Sequence, residues 1–202
     1  MSEPIAIEAF PNGPFKISNA DKLSYCGQAQ QIDGDCYLCR CGESKNAPYC
    51  DGSHSKIGFQ DKNPQRTPQE IKVWEGEKIK TYFNPNACMH VFYCKPMKEL
   101  RAKEGDDTSS KTAEEIMKVV ASCPSGALTY ELKQELTTTA DSPEYPIEII
   151  EGGEIRIQTE FTSTNFSLQE RQPAHKATLC RCGLSQNKPY CDASHRKKEN
   201  FR

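Results

Sequence analysis

The chain has 202 residues, with 26 Lys+Arg against 28 Asp+Glu and a formal charge of −2. That balance excludes the strongly basic face of a dedicated nucleic-acid binder, and no stretch approaches the ~18 apolar residues of a membrane span. Hydrophobic residues make up only 36% against the usual ~45–50%, so a thin core is expected and some other cross-link must help hold it.

The opening segment, MSEPIAIEAFPNGPF, has neither a basic n-region nor an apolar h-region, and a cytoplasmic location is expected. In a reducing compartment the 11 cysteines point to metal or redox chemistry rather than to a disulfide scaffold.

In chain order, Asn12-Gly13 and Gly13-Pro14 punctuate a turn ahead of a strand at Phe15-Lys16-Ile17, and Tyr37-Leu38 leads into the first cysteine group. Residues 61–70 (DKNPQRTPQE) read as a linker. Segments 71–73 and 79–83 flank Trp74-Glu75-Gly76-Glu77 as a hairpin with Trp74, Tyr82 and Phe83 in its core. Residues 101–111 read as a solvated loop. Thr112 then caps a helix with Glu115 in the capping-box position, and Ile116, Val119, Val120 and Cys123 form its buried stripe. A strand returns over 127–132, and 137–146 is a second linker. Alternation in IEIIEGGEIRIQTEF about Gly152-Gly153 predicts another hairpin, and the tail RKKENFR reads as a solvated end.

An internal repeat dominates this layout. Residues 39–54, CRCGESKNAPYCDGSH, and residues 180–195, CRCGLSQNKPYCDASH, agree at 12 of 16 positions. Cys39, Cys41, Cys50 and His54 recur 141 positions later as Cys180, Cys182, Cys191 and His195. Cys-x-Cys puts two thiolates on one extended segment, and Cys50 and His54, spaced i and i+4, can share a helix face. Gly42 and Gly52 permit close backbone approach, although the second copy has Ala193 where the first has Gly52.

A Cys₃His set suits one tetrahedral Zn²⁺ or a [2Fe–2S] cluster with two ligands per iron. Zinc knuckles separate their cysteines by two to four residues, so a single intervening residue favours the cluster. The pattern Cys-x-Cys-x₂-Ser-x₃-Pro-x-Cys-Asp-x-Ser-His resembles the CDGSH iron–sulfur domain of the NEET proteins. Ser44 and Pro48 match in the first copy, and Ser185 and Pro189 in the second. The resemblance implies a small β-rich fold and one [2Fe–2S] cluster per copy. Cys39, Cys41, Cys50 and His54 would hold one, and Cys180, Cys182, Cys191 and His195 the other. Two motifs in one chain further imply a monomer with an internal pseudo-twofold axis.

Between the repeats, Cys88, Cys94 and Cys123-Pro124 have the spacing of single-cluster ferredoxins. CMHVFYC and CPSGALTYEL resemble the divergent mono-cluster ferredoxin domain over about residues 71–133. Three thiolates suit [3Fe–4S]; [4Fe–4S] needs a fourth ligand, for which His90 is the local candidate and Cys26 and Cys36 the unassigned cysteines. A packed βαβ module with three unligated cysteines is the competing reading.

The expected fold class is therefore α+β. Two CDGSH-type units, residues 1–60 and 147–202, form a pseudo-twofold pair, with a ferredoxin-like βαβ insertion at 71–133. Arg40 and Arg181 either offset cluster charge or lie on the solvated surface, and His175 reads as exposed. One neutral imidazole per cluster places the potential above plant-type ferredoxins (about −400 mV) and below the upper Rieske values (about +300 mV). The function expected is one-electron transfer, or else iron–sulfur cluster transfer or redox sensing. Partners would be a redox protein or an apo iron–sulfur acceptor, with no nucleic acid and no membrane. With no Ser-His-Asp arrangement, phosphate-cradling loop or paired carboxylates in a motif, and with iron-ligating histidines unavailable as general bases, the chain reads as a non-enzyme. A zinc-stabilised binding module is the alternative.

Overall fold

The computed structural model describes residues 3–62, 67–104, 111–135, 143–199 and 201. Its first unit opens with strands β1 (Ile5–Ala9), β2 (Phe15–Ser18), β3 (Lys22–Tyr25), β4 (Gln28–Gln31) and β5 (Cys36–Leu38), and closes with a one-turn helix α1 (Ser53–Lys56). The middle unit consists of β6 (Lys72–Glu75), β7 (Ile79–Phe83), α2 (Met97–Glu104), α3 (Lys111–Ala121) and β8 (Leu128–Leu132). The last unit has β9 (Ile147–Ile149), β10 (Ile155–Ile157), β11 (Phe161–Thr164), β12 (Ala177–Leu179) and a 3₁₀ turn over Ser194–Lys197. Among the described residues, no helix is long and apolar enough to cross a membrane.

The two cysteine-bearing units repeat one three-stranded antiparallel arrangement. β2 lies between β1 and β5, and β10 lies between β9 and β12. Each then borrows a strand from the other: β11 adds parallel to β1, and β3 adds parallel to β9. The sheets therefore run β11-β1-β2-β5 and β12-β10-β9-β3-β4. Alternating burial along β1, β2, β9 and β10 sends Ile5, Ile7, Phe15, Ile17, Ile147, Ile149, Ile155 and Ile157 into one shared core, as period-2 patterning requires. Both expected hairpins, about Trp74 to Glu77 and about Gly152-Gly153, are present, and the turn expected at Gly13-Pro14 joins antiparallel β1 and β2.

The middle unit is a three-stranded antiparallel sheet, β6-β7-β8, with two helices between β7 and β8. Ala113, Ile116, Met117 and Val120 are buried along α3 against Ile79 and Leu128. Several local expectations are corrected here. Residues 101–104 form the last turn of α2 rather than a loop; its Met97 and Leu100 are buried, and the sparse apolar residues of MKELRAKE hid its helical period. α3 already begins at Lys111, so Thr112 lies inside the first turn and is not its cap. Trp74 is not a core residue: it is 37% exposed, with the Arg101 guanidinium carbon 3.5 Å from its ring centroid. Of the expected linkers, residues 63–66 and 137–142 lie outside the described residues, as do residues 105–110 of the expected loop.

The middle unit docks on the last one. Asn84 Nδ2 donates to Glu170 O at 2.7 Å, Gln172 Nε2 to Ser125 O at 2.9 Å, and Asn187 Nδ2 to Asn86 O at 2.6 Å. Arg171 pairs with Glu131 and lies 3.5 Å over the Tyr82 ring.

Candidate metal centres

The two copies build the same loop from the same bonds. Leu38 and Leu179, the last residues of β5 and β12, form isolated bridges to Tyr49 and Tyr190. Cys39 N donates to Pro48 O and Cys180 N to Pro189 O, both at 2.8 Å. Ser44 Oγ and Ser185 Oγ donate to the carbonyls of Tyr49 and Tyr190 at 2.5 and 2.6 Å. Asp51 receives the amides of Lys45 and Ser53 at 2.9 and 3.0 Å; Asp192 receives those of Gln186 and Ser194 at the same distances. These bonds hold the Cys-x-Cys limb against the Cys-x₃-His limb, which explains why Ser, Asn, Pro, Tyr and Asp recur along with the cysteines.

In each copy the four candidate donors fall into two close pairs. Cys39 Sγ and Cys41 Sγ are 3.6 Å apart, and Cys50 Sγ and His54 Nδ1 3.4 Å apart. In the second copy the corresponding distances are 3.7 and 3.4 Å. The second pair does not sit on one helix, contrary to the i, i+4 expectation. Cys50 and Cys191 precede their helical turns, and Gly52 and Ala193 bend the chain with φ of 83° and 64°. Both copies thus use the left-handed conformation, even where the residue is alanine.

Donors to the sulfurs come from the backbone: Gly42 N to Cys39 Sγ at 3.3 Å, Gly52 N to Cys50 Sγ at 3.5 Å, Leu184 N to Cys182 Sγ at 3.4 Å and Ala193 N to Cys191 Sγ at 3.3 Å. Such N–H groups favour thiolate and raise the potential of a cluster that the sulfurs hold. The hydrogen bond from Cys41 pulls the Cys39 thiol down to about 5 and pushes Cys41 up; Cys180 comes down to about 6 at the expense of Cys182 in the same way. Each Cys-x-Cys therefore gives up its first proton readily, which is the state a metal needs.

The copies differ in cover. Cys50 and His54 are half-buried, whereas Cys191 and His195 are buried. Burial holds His195 below the usual imidazole range against the opposing pull of Glu154, so the ring is neutral and able to ligate.

The copies also meet. Cys41 and Cys182 face each other across an isolated antiparallel bridge. Lys198 closes over this junction, donating to Gly42 O at 2.9 Å, Cys182 O at 3.4 Å and Glu43 Oε1 at 2.7 Å. The tail is therefore anchored rather than solvated: Phe201 also lies against the Arg181 guanidinium at 4.6 Å. Arg40 and Arg181 are themselves buried, not surface residues, and donate to Phe10 O at 2.8 Å and to Ile150 O at 3.2 Å. Burial lowers both guanidinium pKa values; Asp61 and Cys180 oppose this at Arg40, Tyr25 and Cys39 at Arg181. Each arginine thus places charge near the other copy's sulfurs.

In the middle unit, Cys88, Cys94 and Cys123 all pack at the edge of one core. His90 is exposed, with a φ of 57° and its Nδ1 3.7 Å from Cys88 Sγ. Cys123 Sγ lies 3.7 Å from Ser125 Oγ. Outside these groups, Cys26 is exposed on a turn, and Cys36 is buried on β5 with its thiol pushed up to about 11 by desolvation. His175 is exposed.

One tetrahedral ion needs all its donors at one point, with Zn–S ≈ 2.3 Å placing sulfurs about 3.8 Å apart. Among the described residues, only Glu154, Cys191 and His195 bring three metal-capable donors within 4.8 Å of one another. No three of a motif's four donors do so. Two pairs, each tight and separated from the other, match two adjacent metal atoms with two protein ligands each. The soft, buried, paired donor set therefore fits an iron–sulfur cluster. Sequence reasoning missed Glu154 and Lys198. A glutamate after Gly-Gly and a lysine in a basic tail carry no signal of burial or of contact with a distant motif.

Residues 4–55 and 146–196 each match the family described as iron-binding zinc finger, CDGSH type, together just over half of the chain. Residues 74–133 match the divergent 4Fe-4S mono-cluster family. No curated protein and no solved structure matches the chain. Twin loops, paired sulfur and imidazole donors and these two matches converge: the chain belongs to the CDGSH-type iron-binding family, has a divergent 4Fe-4S mono-cluster domain between its two CDGSH units, and is an iron–sulfur protein.

Proposed function

We propose that the chain is a monomeric one-electron carrier with three clusters. Cys39, Cys41, Cys50 and His54 hold one [2Fe–2S] cluster, and Cys180, Cys182, Cys191 and His195 a second. Cys88, Cys94 and Cys123 hold a third, [3Fe–4S], or [4Fe–4S] with His90 as fourth ligand. Bound, such clusters accept and release single electrons. The chain's residues confine them: buried thiols exclude water, backbone amides meet the sulfurs, and arginines set charge beside them.

The observation that carries this reading is the bridge between Cys41 and Cys182. One inner sulfur ligand of each motif lies on backbone paired directly with that of the other, so the two sites share a wall and an electron has a short route between them. The middle unit packs on the second copy, with Asn86, two residues before Cys88, bonded to Asn187 of the second motif's loop. That contact extends the route to the third site. The partner proposed is a soluble redox protein. Ligation takes His54 and His195 out of use as general bases, and the chain is proposed not to be an enzyme.

The half-buried outer pair Cys50 and His54 favours a second role, donation of the first cluster to an apo iron–sulfur acceptor. Protein purified without oxygen tests both. About seven to eight irons per chain, matching sulfide and little zinc are expected, with stepwise one-electron reduction. A colourless zinc protein would overturn the reading. Two incubations separate the roles: iron passing from the first motif alone to an apo-ferredoxin marks a donor as well as a carrier, and electrons passing to an oxidised, cluster-loaded ferredoxin with no iron lost to the apo form mark a carrier alone.

A further inference from the structure

Besides Ala193 in place of Gly52, the two copies differ at a residue of the preceding turn, which in the second copy reaches the outer donor pair. The turns ahead of β2 and β10 carry identical bonds. Phe10 N donates to Pro14 O and Gly13 N to Phe10 O, as Ile150 N donates to Glu154 O and Gly153 N to Ile150 O, all at 3.0 Å. Pro14 and Glu154 are therefore counterparts, and only the second copy has a carboxylate there. Glu154 is 3% exposed. Its Oε1 accepts from Arg156 Nε at 2.8 Å, and Arg156 also reaches Glu148 at 3.5 Å. Its Oε2 lies 3.8 Å from His195 Nε2, within ion-pair range though longer than a hydrogen bond. On the ring's other side, Nδ1 is 3.4 Å from Cys191 Sγ. A neutral imidazole that ligates through Nδ1 has its one proton on Nε2, the atom that faces the buried carboxylate.

We propose that Glu154 is a positioning residue for His195, which it holds with Nδ1 toward the metal and Nε2–H toward its own Oε2, and that it makes the two clusters inequivalent. This rests on the ligand assignment above. A carboxylate behind a ligating imidazole fixes its tautomer and orientation and raises its basicity, and loss of such a partner costs about 10–100-fold in metal affinity. Negative charge held in a site of low dielectric also disfavours reduction. The second cluster is therefore the lower in potential and the more firmly retained; the first, with half-buried His54 and proline at the matching place, is filled with electrons first and gives up iron first.

Potentiometric titration of the intact protein, followed by the absorbance and electron paramagnetic resonance of [2Fe–2S] clusters, is expected to give two separate waves. Glu154→Gln raises the lower wave and leaves the upper one in place. It also speeds chelator removal of iron from the second motif by about 10–100-fold. Glu154→Asp, which keeps the charge, keeps the lower wave low. In a His195→Cys background, Glu154→Gln shifts that wave far less, because the ring it orients is gone. An undiminished shift in that background would make Glu154 a bystander charge and overturn the proposal. So would waves that Glu154→Gln does not move. Should Glu154→Gln fail to fold, Pro14→Glu gives the reciprocal test: it lowers the upper wave, and an unmoved upper wave overturns the proposal. Absence of any [2Fe–2S] signal from the unaltered protein would instead overturn the ligand assignment.

Discussion

Cys41 and Cys182 lie opposite each other on two backbone segments joined by one antiparallel bridge, with Gly42 and Gly183 completing the contact. A β-carbon on Gly42 would come within 2.5 Å of the Cys182 carbonyl oxygen, and one on Gly183 within 2.6 Å of the Cys41 oxygen. Both glycines have positive φ, 75° and 80°. Gly183→Ala therefore combines a left-handed penalty of about 1–2 kcal/mol with displacement of the junction. Thermal unfolding should show a loss of about 2–4 kcal/mol, and iron should leave both motifs. Full iron content at both sites would mean that the junction is dispensable.

Ala193 holds φ at 64° where Gly52 holds 83°. An alanine in this region costs about 1–2 kcal/mol, and glycine's looser unfolded chain returns about 0.4–1 kcal/mol of that difference. Ala193→Gly is expected to stabilise the loaded protein by about 0.5–1 kcal/mol in calorimetry, and Gly52→Ala to destabilise it by a similar amount. A lower melting temperature for Ala193→Gly would contradict the strain.

Glu131 ties the middle unit to Arg171. Tyr82 Oη donates to it at 2.6 Å, and that bond, with the Arg171 pair, holds its carboxyl below the ordinary value of 4.5. A depressed acid contributes fully above its unfolded value and loses that contribution as pH falls through the folded one. Protection against hydrogen exchange in 79–83 and 128–132, relative to the intrinsic amide rate at each pH, is therefore expected to fall only as the solution is acidified below about pH 4.5, and this acid dependence should shrink at high salt because the exposed pair is screened. Glu131→Gln should remove the acid dependence and leave exchange fast at neutral pH.

Cys123 is buried two residues past the end of α3, beyond the helix whose stripe its spacing predicts it to join, where the chain turns into Pro124. Cys123→Ser is expected to abolish the paramagnetic signal of the middle cluster and leave both [2Fe–2S] signals in place. Persistence of the middle signal would remove Cys123 from the ligand set.

Much of this architecture is legible in the residues. The repeat marks the candidate donors of both loops, because a site built of soft sulfur and nitrogen ligands tolerates few changes of residue type or spacing. The hairpins follow from Gly13, Gly152 and Gly153 with alternation on either side. α2 escapes because Met97 and Leu100 are too few to establish a period. The exchanged strands escape for a different reason: segments as short as KLSY and FTST say that a strand can form, not which distant strand it joins. Glu154 and Arg101 escape because charged residues read as solvated unless the contact that buries them is known.

The exchange of β3 and β11 has a further bearing. Neither sheet closes without a strand from the far end of the chain, and the core beneath them is one body. Half a molecule would expose the edges of β1 and β9, which invite aggregation. Assembly is all-or-nothing: both iron sites become competent together or not at all, and a truncated copy should be cleared rather than serve as a one-cluster version.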